Sequence, residues 1–174
     1  DFSYFPVPPL LIVNPSNFTG CNPLSVFFEN LSVPIDDSYD ILWSFGDGKT
    51  SKKISPNHLF QNPGLYSVRL EITSPIGCYT KADYPNWINV IESPEAGFDY
   101  DPKTLSSFQK QINLTDQSKS AEFLKYIIND RFILFDRNAQ FTIRDTGVQK
   151  ISQIVSRPNG CMDTLTIFID VEPK

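Results

Sequence analysis

The chain has 174 residues, enough for one large domain or two small ones and too few for a multidomain enzyme of ordinary size. Its 15 Lys and Arg against 20 Asp and Glu leave a net charge of -5, without the basic surface that neutralising nucleic-acid phosphates requires. One His, one Met and three Cys offer few groups for acid–base pairs, nucleophiles or metal sites, while 14 Pro and 14 Phe favour short strands and turns.

The chain opens on Asp1-Phe2-Ser3-Tyr4-Phe5, without the basic and apolar segments of a signal peptide. Residues 1–9 read as a linker or the end of a preceding domain in a piece of a larger protein. The apolar stretch 7–13 contains two prolines and falls far short of the roughly 18 residues a membrane helix needs. Further on, apolar residues recur two apart at Val26 and Phe28, at Tyr66, Val68, Leu70 and Ile72, at Ile88 and Val90, and at Leu165, Ile167, Ile169 and Val171. That period belongs to half-buried strands. Asn14-Pro15, Asp47-Gly48, Pro63-Gly64 and Asn159-Gly160 mark turns between them. Residues 119–128 alone carry a trace of helical spacing, at Phe123, Tyr126 and Ile127, and read as a connection entering a strand. The whole pattern predicts all-β sandwiches of short antiparallel strands.

An internal repeat organises these strands. Residues 58–68 align without a gap on residues 141–151 at an offset of 83, which places Gly64 on Gly147. The same offset carries Pro75, Gly77 and Cys78 onto Pro158, Gly160 and Cys161, and Trp43 and Asp47 onto Tyr126 and Asp130. One three-residue gap brings the segment from Phe28 to Ser32 over that from Leu114 to Ser118. Two tandem domains are expected, over residues 10–92 and 93–174, joined at the short polar segment Glu92-Ser93-Pro94-Glu95.

Trp43-Ser44-Phe45-Gly46-Asp47-Gly48, then Pro56-Asn57-His58-Leu59-Phe60, then Gly64-Leu65-Tyr66-Ser67-Val68-Arg69-Leu70 stand in order and at matching spacing. Together they resemble the signature of the PKD (polycystic kidney disease) domain. The resemblance implies an immunoglobulin-like β-sandwich, with Trp43, Phe45, Gly46, Asp47, Gly48, His58, Gly64 and Tyr66 carrying the fold. In the second domain the hairpin reads Tyr126-Ile127-Ile128-Asn129-Asp130-Arg131 and Phe141 takes the place of His58, so a degenerate PKD-like or generic Ig-like domain is expected there. PKD repeats in large surface proteins of Bacteroidetes-type bacteria are similar in carrying a Cys at the positions of Cys21 and Cys78. That likeness implies a Cys21–Cys78 disulfide, a free Cys161 and an oxidising compartment. Three unpaired, buried thiols are the alternative.

Several candidate sites have a structural reading beside the functional one. Asp47 can accept bonds from turn amides rather than ligate calcium, and His58 has no Ser or Cys partner at a recognisable spacing. Tyr79, Tyr84 and Trp87 could stack on a sugar ring or another protein; Trp87, next to Ile88, is expected on the face away from the core. Asp36, Asp37 and Asp40, and Asp99 with Asp101, lack the calcium-loop pattern and read as solvated loops. No cofactor is expected, and calcium is possible without support. Asp163-Thr164-Leu165 resembles the O-glycosylation sequence of Bacteroidetes surface proteins, at Thr164.

The resemblance implies a non-catalytic module of a larger secreted or cell-surface bacterial protein, of the adhesin or gliding-motility type linked to type 9 secretion. It would act as a spacer and as a protein or glycan contact unit. Its partners would be other domains of the same protein, surface proteins or polysaccharide, with neither nucleic acid nor a membrane span. Two alternatives are an accessory substrate-binding module of a secreted hydrolase and a partner-docking fragment of an envelope complex. The last predicts an exposed apolar patch on the second domain.

Overall fold

A computed structural model describes residues 9–173. The linker expected over residues 1–9 therefore lies, apart from Pro9, outside the described residues. These form sixteen strands and no helix, and the chain divides into two units, Asp1–Glu92 and Ser93–Lys174. Each unit is an immunoglobulin-like sandwich of one three-stranded and one five-stranded sheet.

Unit 1 contains β1 (Val13–Pro15), β2 (Thr19–Cys21), β3 (Leu24–Asn30), β4 (Asp40–Ser44), β5 (Thr50–Ser51), β6 (Asn57–Phe60), β7 (Gly64–Thr73) and β8 (Tyr79–Ile91). Its sheets have the orders β1-β3-β6 and β2-β8-β7-β4-β5, with only β2 and β8 parallel. Apolar residues two apart face inward, and Val26, Phe28, Trp43, Phe45, Phe60, Val68, Leu70, Ile72, Ile88 and Val90 close the core. Phe28, Trp43 and Phe45 pack ring on ring, with centroids 5.4–6.4 Å apart.

Unit 2 contains β9 (Phe98–Asp101), β10 (Leu105–Ser106), β11 (Gln111–Asp116), β12 (Phe123–Ile128), β13 (Phe132–Leu134), β14 (Asn138–Thr142), β15 (Gly147–Ser156) and β16 (Met162–Glu172). Its orders, β14-β11-β9 and β10-β16-β15-β12-β13, repeat those of unit 1 strand for strand, down to the parallel β10–β16 pair. Within residues 119–128, ambiguous by spacing, 119–122 form a connection that enters β12 at Phe123. Alternate burial of Leu124, Tyr126 and Ile128 against β15 decides its form.

Register ties the two units together. Trp43 pairs Leu70 and Ser51; 83 residues on, Tyr126 pairs Gln153 and Leu134. Val26 pairs His58 as Ile112 pairs Phe141, which reproduces both the offset and the three-residue gap. The amide of Ser32 donates to Asn30 Oδ1, as that of Ser118 does to Asp116 Oδ1. Gly77 and Gly160 both adopt φ 87° in hairpins closed by equivalent amides, onto Ser74 and Arg157.

The expected Cys21–Cys78 disulfide does not form: Cys78 is a free thiol. Cys21 is paired in register with Ile91 at the end of β8, whereas Cys78 directly precedes the start of that strand. At about 3.3 Å per residue this separates them by roughly 40 Å, against the 4.4–6.8 Å between Cα atoms that a disulfide spans. Cys21 is disulfide-bonded nonetheless. Cys161, expected to be free, is also disulfide-bonded, and it is buried.

Candidate functional site

The signature residues of unit 1 converge on one buried polar contact. Gly46 takes φ 81°, and a Cβ there would stand 2.6 Å from the Ser67 carbonyl oxygen, so only glycine lets the loop close against β7. The loop turns Asp47 inward, where its Oδ2 lies 2.9 Å from His58 Nε2 and its Oδ1 accepts the Lys49 amide at 3.1 Å. His58 stacks on Phe45 at 3.9 Å and meets Phe60 edge-on at 4.6 Å. Burial pushes the Asp47 carboxyl up, but hydrogen bonds from His58 and the Lys49 amide outweigh it and hold the group below the usual carboxylate range. Aromatic walls and backbone surround the pair, which braces β6 against the β4–β5 loop. Tyr66 donates its hydroxyl to the Asn62 carbonyl and packs on Phe60, and Gly64 opens β7 at φ 155°.

The aromatic trio divides. Tyr84 and Trp87 stack at 4.1 Å, with Phe18 edge-on to Trp87, while Tyr79 stands exposed at the opposite end of β8. Trp87 does not face away from the core; it packs against the core and lies 6.1 Å from Phe28. The cause is a bulge: Tyr66 pairs Ile88 but Val68 pairs Tyr84, with Asn86 at φ 49° donating its amide to Ser67 Oγ. Strict alternation fails across the inserted residues, and Trp87 has no counterpart in the shorter β16.

The acidic clusters are engaged locally. Asp36 accepts from the amide and hydroxyl of Ser38, and Asp99 pairs with Lys103. Among the described residues no group of three or more His, Cys, Asp or Glu is arranged to hold a metal ion. Thr164 is exposed on β16, and the neighbouring Asp163 Oδ2 accepts the Ala96 amide at 2.8 Å.

Unit 2 replaces the Asp47–His58 pair with a different polar cluster. Gln153, fully buried where unit 1 has Leu70, donates to Asp116 Oδ1 at 2.9 Å and to the Tyr126 hydroxyl at 3.4 Å, and accepts the Gly97 amide at 2.7 Å. Arg137 donates to Asp116 Oδ2 at 2.5 Å and to the carbonyls of Ala121 and Glu122. Burial raises the Asp116 carboxyl, but hydrogen bonds from Ser118, Arg137 and Gln153 bring it below its ordinary value, while burial pushes Tyr126 up to about 12. Tyr126 donates to the Arg137 carbonyl, much as Trp43 Nε1 donates to that of Lys53.

The outer face of the five-stranded sheet separates the units most sharply. In unit 1, Tyr39, Asp40, Leu42, Lys52, Glu71, Thr73 and Tyr79 line a groove of about 360 Å3. Beside it Arg69 Nε contacts Asp83 at 2.5 Å and Lys81 contacts Asp83 at 3.3 Å. The same positions 83 residues on, Glu122, Phe123, Lys125, Phe135, Ile154, Ser156 and Met162, line a groove of about 460 Å3 in unit 2. Phe123, Phe135 and Met162 are 58, 72 and 67 % exposed. The neighbouring edge strands differ likewise: Lys49, Thr50, Ser51 and Lys52 in unit 1 become Phe132, Ile133, Leu134 and Phe135 in unit 2. Of this apolar face only Phe123 stands out in the sequence, and there for its spacing; the signal for an exposed apolar face lay in that four-residue run, read against its counterpart at the same offset.

Comparison with known proteins bears on unit 1. Residues 8–86 match the family model of the PKD domain. A microbial collagenase of Vibrio alginolyticus is 38 % identical over 63 residues, which cover 36 % of this chain and 8 % of that protein. Collagenase ColA of Bacillus cereus is 28 % identical over 71 residues, 41 % of this chain and 7 % of its own length. The chain thus matches less than a tenth of either collagenase. Among solved structures, the fibronectin(III)-like modules of Clostridium thermocellum CbhA align over 93 % of this chain and 95 % of theirs, with 11 % identity and a TM-score of 0.37. A structure of carbohydrate-binding modules from the β-sandwich superfamily covers 84 % of this chain and 57 % of its own, with 16 % identity and a TM-score of 0.41.

Proposed function

We propose that the chain is a non-catalytic extracellular module of a larger secreted or cell-surface bacterial protein, a spacer that also makes contact with protein or glycan. Unit 2 is read as a diverged copy of the PKD unit whose outer sheet face has been given over to contact. The observation that carries this is the pair of equivalent grooves, in which Asp40, Lys52 and Glu71 of unit 1 are replaced by Phe123, Phe135 and Ile154 on the same strand frame. The disulfide-bonded state of Cys21 and Cys161 supports an oxidising compartment. The adhesin or gliding-motility setting, export by type 9 secretion and glycosylation at Thr164 belong to this proposal and rest on the sequence resemblance.

The identity shared with two collagenases favours a second reading, an accessory module that holds a protein substrate for a neighbouring catalytic domain. Co-sedimentation of the full chain with insoluble collagen, with insoluble polysaccharide and with intact bacterial cells separates the two. Retention on cells or polysaccharide supports the surface-contact reading, and retention on collagen alone supports the accessory one. Turnover of any of these materials, lost on substituting a polar residue of the chain, would overturn both.

A further inference from the structure

We infer that the open edge of β13, together with the apolar groove beside it, accepts an extended polypeptide segment as an added strand of the unit 2 sheet. The inference rests on the reading of the chain as a contact module and names the partner of its apolar face. Order in the five-stranded sheet ends at β13, whose far side pairs with no strand among the described residues. A strand in that position offers unpaired amides and carbonyls to another chain, and proteins ordinarily blunt such edges with lysine and polar residues. Unit 1 does so, with Lys49, Thr50, Ser51, Lys52 and Lys53 around β5. Unit 2 carries Phe132-Ile133-Leu134-Phe135 instead, with Ile133 and Phe135 exposed.

Charge identifies the occupant. Lys125 lines the groove and forms no ion pair among the described residues, whereas Arg137 at the rim is bound to Asp116. The Arg131 and Arg144 guanidiniums lie 5.3 and 5.9 Å from the Phe132 ring at the edge itself. Glu122 is the one carboxylate in the groove lining. A segment that alternates apolar side chains with polar ones and carries a carboxylate fits this surface: backbone bonds to β13 supply affinity, and the groove and its free cation supply choice. Phe, Ile and Met surfaces suit aliphatic and aromatic side chains rather than sugar hydroxyls.

The test is selection of binders from a random twelve-residue peptide library on the immobilised full chain, followed by amide hydrogen exchange with the selected peptides. The expected peptides alternate apolar and polar residues, contain Asp or Glu, and slow exchange in residues 132–134. Their affinity should fall at least tenfold in Phe135→Lys and Ile133→Lys. Lys125→Glu should reverse the preference for acidic peptides, a shift that a merely misfolded variant would not give. Both edge positions are exposed, and unchanged circular dichroism would confirm the fold of each variant. No enrichment relative to the variants, or protection confined to other strands, would overturn the inference. Concentration-dependent dimerisation through β13 would overturn the choice of occupant in favour of a second copy. Loss of the strand site with retention on cells or polysaccharide would leave the contact-module reading standing, whereas substrate turnover would remove that reading itself.

Discussion

At equivalent places beside equivalent strands, unit 1 presents Lys49, Thr50, Ser51 and Lys52 and unit 2 presents Phe132, Ile133, Leu134 and Phe135. The strand order, the pairing register and the side-chain turns at Asn30 and Asp116 are shared, so neither edge is dictated by the fold. An aromatic fills the sandwich centre in both units, as Trp43 and Tyr126. At the outward positions the two copies carry opposite chemistry, Thr50 and Lys52 against Ile133 and Phe135, while Phe132 and Leu134 pack against the unit 2 core.

The core side of the comparison is tested by the largest effects. Trp43→Ala removes a fully buried indole and should destabilise unit 1 by about 3–5 kcal/mol. Both Trp residues lie in unit 1, so denaturant unfolding followed by Trp fluorescence reports that unit alone, and Trp87 retains the signal. Exchanging the two central residues comes next: Leu70→Gln puts an amide where unit 1 offers no Asp116 or Gly97 partner. It should cost about 1–3 kcal/mol beyond the lost apolar burial. Tyr126→Phe removes the hydroxyl's bond to the Arg137 carbonyl and the one it accepts from Gln153, and should cost about 1–2 kcal/mol, read from the thermal unfolding of the chain followed by far-ultraviolet circular dichroism.

Acid stability sharpens the comparison through different groups. Asp47 and Asp116 are both held below the ordinary carboxylate value in the folded chain. The stabilisation each gives is complete above the unfolded value, near pH 4, and is lost as pH falls through the lower folded value. Both units should therefore lose melting temperature below about pH 4; Asp47→Asn should flatten the response of unit 1 only, and Asp116→Asn that of unit 2. Tyr126 has the opposite sign: its raised value means stability present below pH about 10 is lost as pH rises toward 12, and Tyr126→Phe removes that loss. The smallest effect is chemical. Without reduction, alkylation of the denatured chain should label Cys78 alone, and after reduction all three cysteines, as read by intact mass and peptide mapping.

Much of this frame was legible in sequence because it depends on period and offset. Inward apolar residues at spacing two, turn residues and the 83-residue repeat are local or arithmetic signals, and they locate both sandwiches and the Trp43 hairpin. Cysteine pairing was not legible, because it depends on which end of a thirteen-residue strand each thiol reaches. Trp87 was misplaced because it lies within the two-residue bulge near Asn86, where alternation is locally suspended before it resumes in phase at Ile88, and nothing in Tyr84-Pro85-Asn86-Trp87 states where a bulge begins. The Asp116–Gln153–Arg137 cluster assembles from two strands and a connection, at positions where unit 1 carries no comparable polar set, so the repeat itself concealed it.

The central claim is that the apolar face of unit 2 is a surface for contact and no part of its core. It is tested most directly by replacing the exposed Ile133 and Phe135 with the Thr and Lys of unit 1, while Phe132 and Leu134, which pack against the core, are kept, then measuring thermal unfolding and binding of an apolar fluorescent dye. The account predicts that unit 2 stays folded, with its melting temperature within a few degrees of the parent, while dye binding falls several-fold. Unfolding of unit 2, or dye binding unchanged in a folded chain, would contradict it.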